Sequence, residues 1–242
     1  MEWTVSALTL RHIAECLKDI LTQVWFRFDR QGISMINVDP EKIISAQLHL
    51  RPPTEQYSCG DMGHTFCCYV QTLHKVLRNV KDKDTAKISS GNMEDLKILI
   101  MSPDGVTKSR ISMASLNDPM PQFDWSILNY GLEFTMASSM LYTVAHDLST
   151  ISRKLCVSVF RDTVTFEAKD ETGTSVSSYF VCKGLQNNEI TCKVVCITKY
   201  IEKFMKPSLS PSVTLHLQSG KPVQLEYTLP HGSLYLNVAA LE

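Results

Sequence analysis

The stretch LRHIAECLKDI (residues 10–20) carries the pattern on which the fold prediction rests. Apolar residues recur at spacings of three and four, which predicts the buried face of an amphipathic helix. That face comprises Leu10, Ile13, Ala14, Leu17, Ile20 and Leu21. Arg11, His12 and Lys18 lie away from this face. A solvated charged face is common on single helices, so the pattern becomes informative only if other segments repeat it.

Three further segments carry the same spacing, so the helical pattern occurs four times. The four segments are 9–21, 70–80, 138–151 and 197–206. Two alternating stretches, 24–39 and 154–170, each predict a pair of strands joined by a turn. The helices starting at 9 and 70 have counterparts starting at 138 and 197, at offsets of 129 and 127 residues. The chain therefore predicts an α+β fold of two similar domains, each with antiparallel sheets backed by two helices.

A connector separates the two predicted domains. The segment SLNDPMPQFDWSILNYG (115–131) contains Pro119 and Pro121, which disfavour regular structure. It also contains Phe123 and Trp125, which a fully solvated linker would not need. We expect a surface connector whose aromatic side chains pack on a domain. The predicted boundaries are 1–114 for the first domain, 115–131 for the connector and 132–242 for the second domain.

The composition is that of a globular protein with a packed core. Hydrophobic residues make up 44% of the chain and charged residues 20%, with a net charge of −1. No apolar run approaches the roughly 20 residues that a membrane-spanning helix needs. The first ten residues, MEWTVSALTL, lack the basic start and long apolar run of a secretory signal. We expect an intracellular, reducing location and no membrane contact.

The eight cysteines form no CxxC pair, and most lie within apolar runs. This pattern favours reduced thiols that act as small core residues. The alternative is a metal site formed by Cys59, His64 and Cys67, whose spacing matches no standard zinc pattern. We predict neither a metal nor a cofactor.

The outer faces of the predicted helices are rich in cations although the chain is nearly neutral. Lys199, Lys203 and Lys206 recur at i, i+4 and i+7, and Lys75 and Arg78 are three residues apart. The carboxylates concentrate instead in predicted turns. Such segregation predicts a face for a polyanion. No base-reading helix or RNA-binding aromatic motif is present, so we expect contacts with phosphates that carry no sequence specificity.

An enzyme is the first rival class, and the sequence offers it little support. The chain has no nucleophile elbow, P-loop, glycine-rich dinucleotide loop or HExxH motif. His146 and Asp147 are adjacent on a predicted helix, so their side chains point apart and cannot form a catalytic dyad. We predict that the protein is not an enzyme and has no catalytic residues.

Four stretches of the sequence carry a family resemblance. They are LKDI in the first helix, MINVDPEKIISAQLHL (35–50), HDLS (146–149) and SVTLHLQSGKPVQLEYTL (212–229). With the duplication and the connector, the chain resembles the DNA sliding clamps of the proliferating cell nuclear antigen family over essentially its whole length. It resembles a divergent member, viral or a specialised paralogue. The resemblance implies a processivity factor in which three subunits close head to tail into a ring around duplex DNA.

The resemblance also implies which residues line the hole of the ring. The matching positions are Arg11, His12, Lys18, Lys75, Arg78, His146, Lys199 and Lys206, to which the helical spacing adds Lys203. Two of these are histidines where the family usually has lysine or arginine. This difference weakens the predicted DNA contact at neutral pH.

The resemblance implies two protein-binding surfaces as well. Strand 107–114 of one subunit is expected to pair with strand 174–182 of the next. The expected interface residues are Ser109, Arg110, Ile111, Met113, Ser177, Ser178, Tyr179 and Phe180. A pocket at the connector is expected to receive clamp-binding peptides. Its matching residues are Val38, Lys42, Ile43, Phe123, Trp125, Pro222, Val238, Ala239 and Ala240. Alternatively, Phe123 and Trp125 only fix the connector to its own domain.

The implied partners are duplex DNA, a DNA polymerase and other replication and repair proteins with clamp-binding peptides, and a clamp loader. The implied location is the nucleus, or a viral replication compartment. A homotrimer is expected. The alternative within the same fold is a checkpoint-type subunit of a heterotrimeric ring, and one sequence does not distinguish the two.

Overall fold

The computed structural model describes residues 1–61, 63–91, 95–118, 129–181, 192–206 and 208–241. Its helices are α1 (Ala7–Leu17), α2 (Val70–Leu77), α3 (Ser138–Ser149) and α4 (Thr198–Phe204). The strands before α3 are β1 (Glu2–Ser6), β2 (Gln23–Asp29), β3 (Gly32–Val38), β4 (Ile44–Leu50), β5 (Tyr57–Ser58), β6 (His64–Tyr69), β7 (Thr85–Ser89), β8 (Asp95–Met101), β9 (Thr107–Ala114) and β10 (Leu132–Ala137). The later strands are β11 (Lys154–Phe160), β12 (Thr163–Lys169), β13 (Ser175–Val181), β14 (Cys192–Ile197), β15 (Ser212–Leu217), β16 (Val223–Leu229) and β17 (Gly232–Val238).

The chain divides into two compact units. The first contains Met1–Asp39, Ala46–Phe123 and Leu229–Leu234, and the second contains Pro40–Ser45, Asp124–Thr228 and Tyr235–Glu242. Pro40–Ser45 therefore belongs to the second unit although first-unit residues flank it in the sequence. Leu229–Leu234 belongs to the first unit although second-unit residues flank it.

Each unit combines antiparallel strands with two helices that pack on each other. In the first unit the strand orders are β5-β1-β7-β8-β9 and β4-β3-β2-β6, with α1 against α2. In the second they are β13-β12-β11-β14 and β10-β15-β16-β17, with α3 against α4. The predicted hairpins are present as β2–β3 and β11–β12. The predicted α+β class, with two similar domains, is confirmed.

Every helix begins directly after a strand, on a buried residue without a side-chain cap. The first residues are Ala7, Val70, Ser138 and Thr198, all with no exposed surface. Each donates its backbone N–H to a carbonyl from elsewhere in its unit. The pairs are Ala7 with Asp84 (2.9 Å), Val70 with Thr22 (3.1 Å), Ser138 with Pro211 (2.9 Å) and Thr198 with Arg153 (3.0 Å). At each of the four junctions, a carbonyl from another part of the unit thus accepts the first of the N–H groups that a helix start leaves unpaired.

The helical faces agree with the predicted spacing, but the helix ends do not. Leu10, Ile13 and Leu17 of α1 are buried as expected, whereas α1 ends at Leu17 rather than near residue 21. Helix α4 ends at Phe204, and Met205 already has an extended backbone, with ψ of 99°. The predicted basic stripe was therefore wrong at its third position, because Lys206 follows the helix.

A glycine-first strand occurs twice with the same sequence pattern, GxxxxNV, in β3 and β17. A Cβ atom on Gly32, where φ is +134°, would lie 2.1 Å from the carbonyl oxygen of Leu50. A Cβ atom on Gly232 would lie 1.9 Å from the carbonyl oxygen of His49. Both strand starts therefore approach the backbone at the end of β4 so closely that only glycine fits.

The asparagine of this pattern is buried in both strands, and both its amide oxygen and its amide nitrogen are hydrogen-bonded. Asn37 accepts the N–H of Trp25 at 3.1 Å and donates to the carbonyl of Gln23 at 3.0 Å. Asn237 accepts from Gln224 at 2.9 Å and donates to the hydroxyl of Ser45 at 3.0 Å. These side chains satisfy polar groups that would otherwise be buried without partners.

The cysteines of the described residues are free thiols, and most are buried. Burial raises the pKa of Cys68 and of Cys196 to about 12, so both stay protonated at neutral pH. Cys182 lies outside the described residues. Within the described part of the chain, no three His, Cys, Asp or Glu residues are placed to hold a metal ion.

None of the described helices is both long enough and apolar enough to cross a bilayer.

Candidate nucleic-acid interface

Helices α1 and α2 bring two predicted DNA-contacting lysines to one cleft. Lys18 and Lys75 line an open cleft of about 390 Å³. The neutral polar side chains of Thr22, Gln71 and Thr72 line it as well, together with the carboxylate of Asp19. The cleft thus has two ammonium groups against one carboxylate, and ammonium groups beside neutral hydrogen-bonding side chains can hold a phosphate group.

The other predicted cations of this unit lie on the same pair of helices. Arg11 donates to the carbonyl of Val80, just beyond α2, at 3.4 Å, so its side chain reaches from α1 towards the end of α2. Arg78 is exposed and follows the last residue of α2. We call the outward side chains of Arg11, Lys18, Lys75 and Arg78 the α1–α2 basic face.

The histidines next to the α1–α2 basic face are held towards their neutral form. Burial lowers the pKa of His74, and Lys18 and Arg11 lower it further, while Glu15 and Asp19 act in the opposite direction. The sequence prediction missed His74, although its spacing from Lys75 and Arg78 places it near them.

Burial also lowers the pKa of His12. Arg11 adds to this effect, and Glu15 and Asp82 oppose it. His12 is therefore neutral at physiological pH and adds little charge to the α1–α2 basic face.

The outer face of α3 differs from that of α1. Helix α3 has no lysine or arginine, and its predicted DNA contact, His146, is exposed. The Nδ1 atom of His146 lies 2.9 Å from a carboxylate oxygen of Glu202 on α4. The ring of Tyr142 stacks on His146 with centroids 5.9 Å apart. His146 thus has a carboxylate partner and an aromatic neighbour within its own unit. The i, i+4 spacing on the helix accounts for Tyr142, whereas the sequence did not indicate Glu202.

Helix α4 carries the cations of the second unit. Lys199 is exposed and Lys203 is half-exposed within the helix, and Lys206 is half-exposed beyond its end. Ile201, Phe204 and Met205 are buried beneath the helix, and Tyr200 is half-exposed. The lysines therefore occupy the outward side, although not as one continuous helical stripe.

The two predicted interface segments form β9 and β13. Among the described residues, each of these strands lies at one end of its sheet. Strand β9 pairs with β8, and β13 pairs with β12. Tyr179 and Val181 of β13 are 68% and 69% exposed, which is unusual for large apolar side chains in a sheet. Two predicted interface residues point inward instead. Met113 is buried, and Phe180 packs edge-on against Phe166 at 5.7 Å.

The predicted peptide-binding residues fall into three groups. Phe123 and Trp125 lie outside the described residues. Val38, Lys42, Ile43, Pro222, Ala239 and Ala240 are partly or fully exposed. Val238 has no exposed surface, so it lies beneath the surface. The N–H of Ala239 donates to the carbonyl of Ile43 at 2.8 Å, which brings these two predicted residues together.

Both ends of the predicted connector are held by side chains. At its start, Asp118 accepts hydrogen bonds from Gln23 at 2.8 Å and from the indole of Trp25 at 3.3 Å. At its end, the Lys221 ammonium donates to the carbonyl of Asn129 at 2.5 Å. No sequence signal marked these contacts, because they join residues that are 92 to 95 positions apart.

Comparison with known proteins assigns both halves of the chain to one family. Residues 3–119 match the family model of the proliferating cell nuclear antigen N-terminal domain, and residues 127–240 match that of its C-terminal domain.

Curated relatives extend over nearly the whole chain. The proliferating cell nuclear antigen of Dictyostelium discoideum is 24% identical over 241 residues, which cover 93% of this chain and 92% of the relative. The probable DNA polymerase sliding clamp 1 of Paramecium bursaria Chlorella virus 1 is 24% identical over 240 residues, covering 93% and 90%. With two matched domain models in the expected order, the chain belongs to the proliferating cell nuclear antigen family.

Proposed function

We propose that the protein is a DNA sliding clamp, a processivity factor that encircles duplex DNA and tethers replication and repair proteins to it. The observation that carries the proposal is the match of both halves to the two clamp domain models. The α1–α2 basic face gives the proposal a physical basis, because it presents cations to phosphates without any base-reading element. The role is tethering, and we propose no catalytic step.

The proposed DNA contacts are unequal between the units. The α1–α2 basic face has four lysine and arginine side chains, and α4 adds Lys199 and Lys203, with Lys206 just beyond it. His12 and His146 contribute least, the first because burial lowers its pKa and the second because Glu202 accompanies it. We therefore propose that α1, α2 and α4 provide most of the attraction to DNA.

We further propose that the chain assembles with itself into a closed ring of three. The exposed β13 residues Tyr179 and Val181 support this proposal, since an open strand edge with large apolar side chains favours pairing with another chain. Pairing of β9 with β13 of the next copy is a heterologous contact, which closes when the rotation between copies completes a ring. We propose in addition that the protein acts in the nucleus or at a viral replication site. Its partners there would be a DNA polymerase and a clamp loader.

Partner proteins are proposed to bind at the connector, through Val38, Lys42, Ile43, Phe123, Trp125, Pro222, Ala239 and Ala240. Val238, which is buried, would support this surface from below. The segment around Ile43 and Ala239 is fixed by their backbone hydrogen bond, so it offers a preformed site to a short apolar peptide.

Topological retention on DNA tests the proposed function. The protein is threaded onto a linear duplex with open ends, and the ends are then left open or blocked with bulky groups. After transfer to about 0.5 M salt, where phosphate contacts are weak, a ring should stay only on the blocked duplex. Equal dissociation from both duplexes would contradict encirclement.

Sedimentation velocity of the purified chain tests the assembly. A homotrimer supports a replicative clamp, whereas a monomer at all concentrations favours the checkpoint-type alternative, in which unlike subunits complete the ring.

A further inference from the structure

An open cleft of about 320 Å³ lies on the first unit and shares no residue with the α1–α2 basic face. It is lined by Arg27 and Asp29 of β2, Ser34 of β3, His49 of β4, and Arg51 just after β4. We call it the β2–β4 cleft. Its residues belong neither to the proposed DNA contacts nor to the proposed connector or subunit surfaces.

The backbone around the β2–β4 cleft is held in place from several sides. Gly32 packs against the carbonyl of Leu50 with no room for a side chain. The Tyr57 hydroxyl donates towards the carbonyls of Asp29 and Gly32, at 2.8 and 2.9 Å. The N–H of Arg51 donates to the carbonyl of His231 at 2.7 Å. A fixed backbone lowers the cost of ordering the side chains when a ligand binds.

The charges of the β2–β4 cleft favour an anionic ligand. The Nε atom of Arg27 lies 3.3 Å from Asp29, which orients a guanidinium whose side chain is still 61% exposed. Arg51 is exposed. Burial of His49 lowers the pKa of its imidazole, and the charge of Arg51 lowers it further. The cleft therefore has two arginines against one carboxylate, and planar guanidinium groups bind carboxylates in bidentate fashion.

A second cleft shows why the ligand should be a peptide rather than a free ion. It has a volume of about 220 Å³ and shares Gln31 and Gly32 with the first. Its other lining residues are Arg30, Pro52, Thr54, Tyr57, Ser58 and Cys59. The two clefts adjoin along the β2–β3 turn, so an extended chain can place one side chain in each.

We propose that the β2–β4 cleft is a docking site for an extended acidic segment of a partner protein, with a carboxylate held by Arg27 and Arg51 and the neighbouring apolar side chain in the second cleft.

Binding of labelled peptides to the full-length protein tests this proposal by fluorescence anisotropy. The probe is an eight-residue peptide of alternating Glu and Leu, and its match replaces every Glu by Gln. The acidic peptide should bind at least tenfold more tightly, and its affinity should fall as salt rises. Arg27→Gln and Arg51→Gln should each weaken binding at least fivefold. Lys97→Gln, which removes an exposed cation from β8, should leave binding unchanged.

Each alternative occupant gives a distinct result. Equal binding of the two peptides, or no effect of the arginine variants, would overturn the proposal. Displacement of the peptide by millimolar inorganic phosphate would reduce the cleft to a simple anion site. Displacement by a short duplex that loses potency in Arg51→Gln but not in Lys75→Ala would assign the cleft to DNA instead. Melting temperatures of all variants near that of the parent protein exclude unfolding as the cause.

Discussion

At the scale of single residues, Ser138 is a buried polar group without a matching acceptor. Its side chain is fully buried at the start of α3, and its hydroxyl has no hydrogen-bond partner among the described residues. The equivalent residue at the start of α1 is Ala7. We expect Ser138→Ala to raise the free energy of unfolding by about 1 kcal/mol, because an unsatisfied hydroxyl no longer has to be buried. Urea unfolding measures the change, with the exposed Ser139→Ala as control. A destabilised Ser138→Ala variant would contradict the interpretation.

Asp84 is a second residue whose environment makes a prediction. Its side chain is buried, and it accepts from the Lys108 ammonium at 2.5 Å and the Lys81 N–H at 2.9 Å. The Lys108 hydrogen bond is the main cause that lowers the pKa of Asp84 below its ordinary value of 3.8. A lowered folded-state pKa stabilises the fold above pH about 4, and this contribution is lost as pH falls through the folded-state value.

The expected result is a urea midpoint that falls on acidification below about pH 4. Asp84→Asn should have a lower midpoint at pH 7 and a weaker dependence on pH in that range. Asp82→Asn, an exposed neighbour, serves as the control. If Asp84→Asn kept the pH dependence of the parent, another carboxyl would be responsible.

At the scale of elements, periodicity predicted the helical faces and most strands, because burial imposes it on the sequence directly. The helix starts were predicted within two residues, at 9, 70, 138 and 197. The carbonyls that accept their first N–H groups, those of Asp84, Thr22, Pro211 and Arg153, were not predictable, because no local pattern reveals them. The end of α4 does have a local signal. Pro207 disfavours a helical conformation for Lys206, so the sequence itself argues against a helical stripe that extends through Lys206. The pairing of His146 with Glu202 needed the packing of α3 on α4 and was not predictable.

The contrast between α1–α2 and α3 gives an element-scale prediction. Removal of one phosphate contact should reduce the slope of log affinity against log salt by about 0.9. We therefore expect Lys18→Ala and Lys75→Ala each to reduce the slope by about that amount. His146→Ala should leave it unchanged at pH 7.5, because Glu202 already accompanies the imidazole. Anisotropy titrations of a labelled duplex at several salt concentrations measure the slopes, with Lys97→Ala as control. An equal reduction in His146→Ala would contradict the unequal roles of the helices.

At the scale of the whole molecule, the duplicated order of elements carried the prediction of two similar domains. That order survives where letter identity does not, since each of the four strand-to-helix junctions is set by backbone packing. The contacts around the proposed peptide site were the hardest to predict from the sequence. Its anchors on the connector, such as Asp118 with Trp25, join positions whose proximity depends on tertiary structure.

Ring assembly makes the last prediction. Tyr179 is 68% exposed on β13, so Tyr179→Ala should change the free energy of unfolding of one copy by less than about 0.5 kcal/mol. If β13 pairs with β9 of the next copy, the same change removes a large aromatic side chain from each interface and should shift the trimer towards monomer at least tenfold in concentration. Phe160→Ala is the matched control, because Phe160 is 57% exposed but ends β11, which is flanked on both sides by β12 and β14. Sedimentation velocity over a hundredfold range of protein concentration measures both variants. An unchanged distribution for Tyr179→Ala, or an equal shift for Phe160→Ala, would place the subunit contact elsewhere.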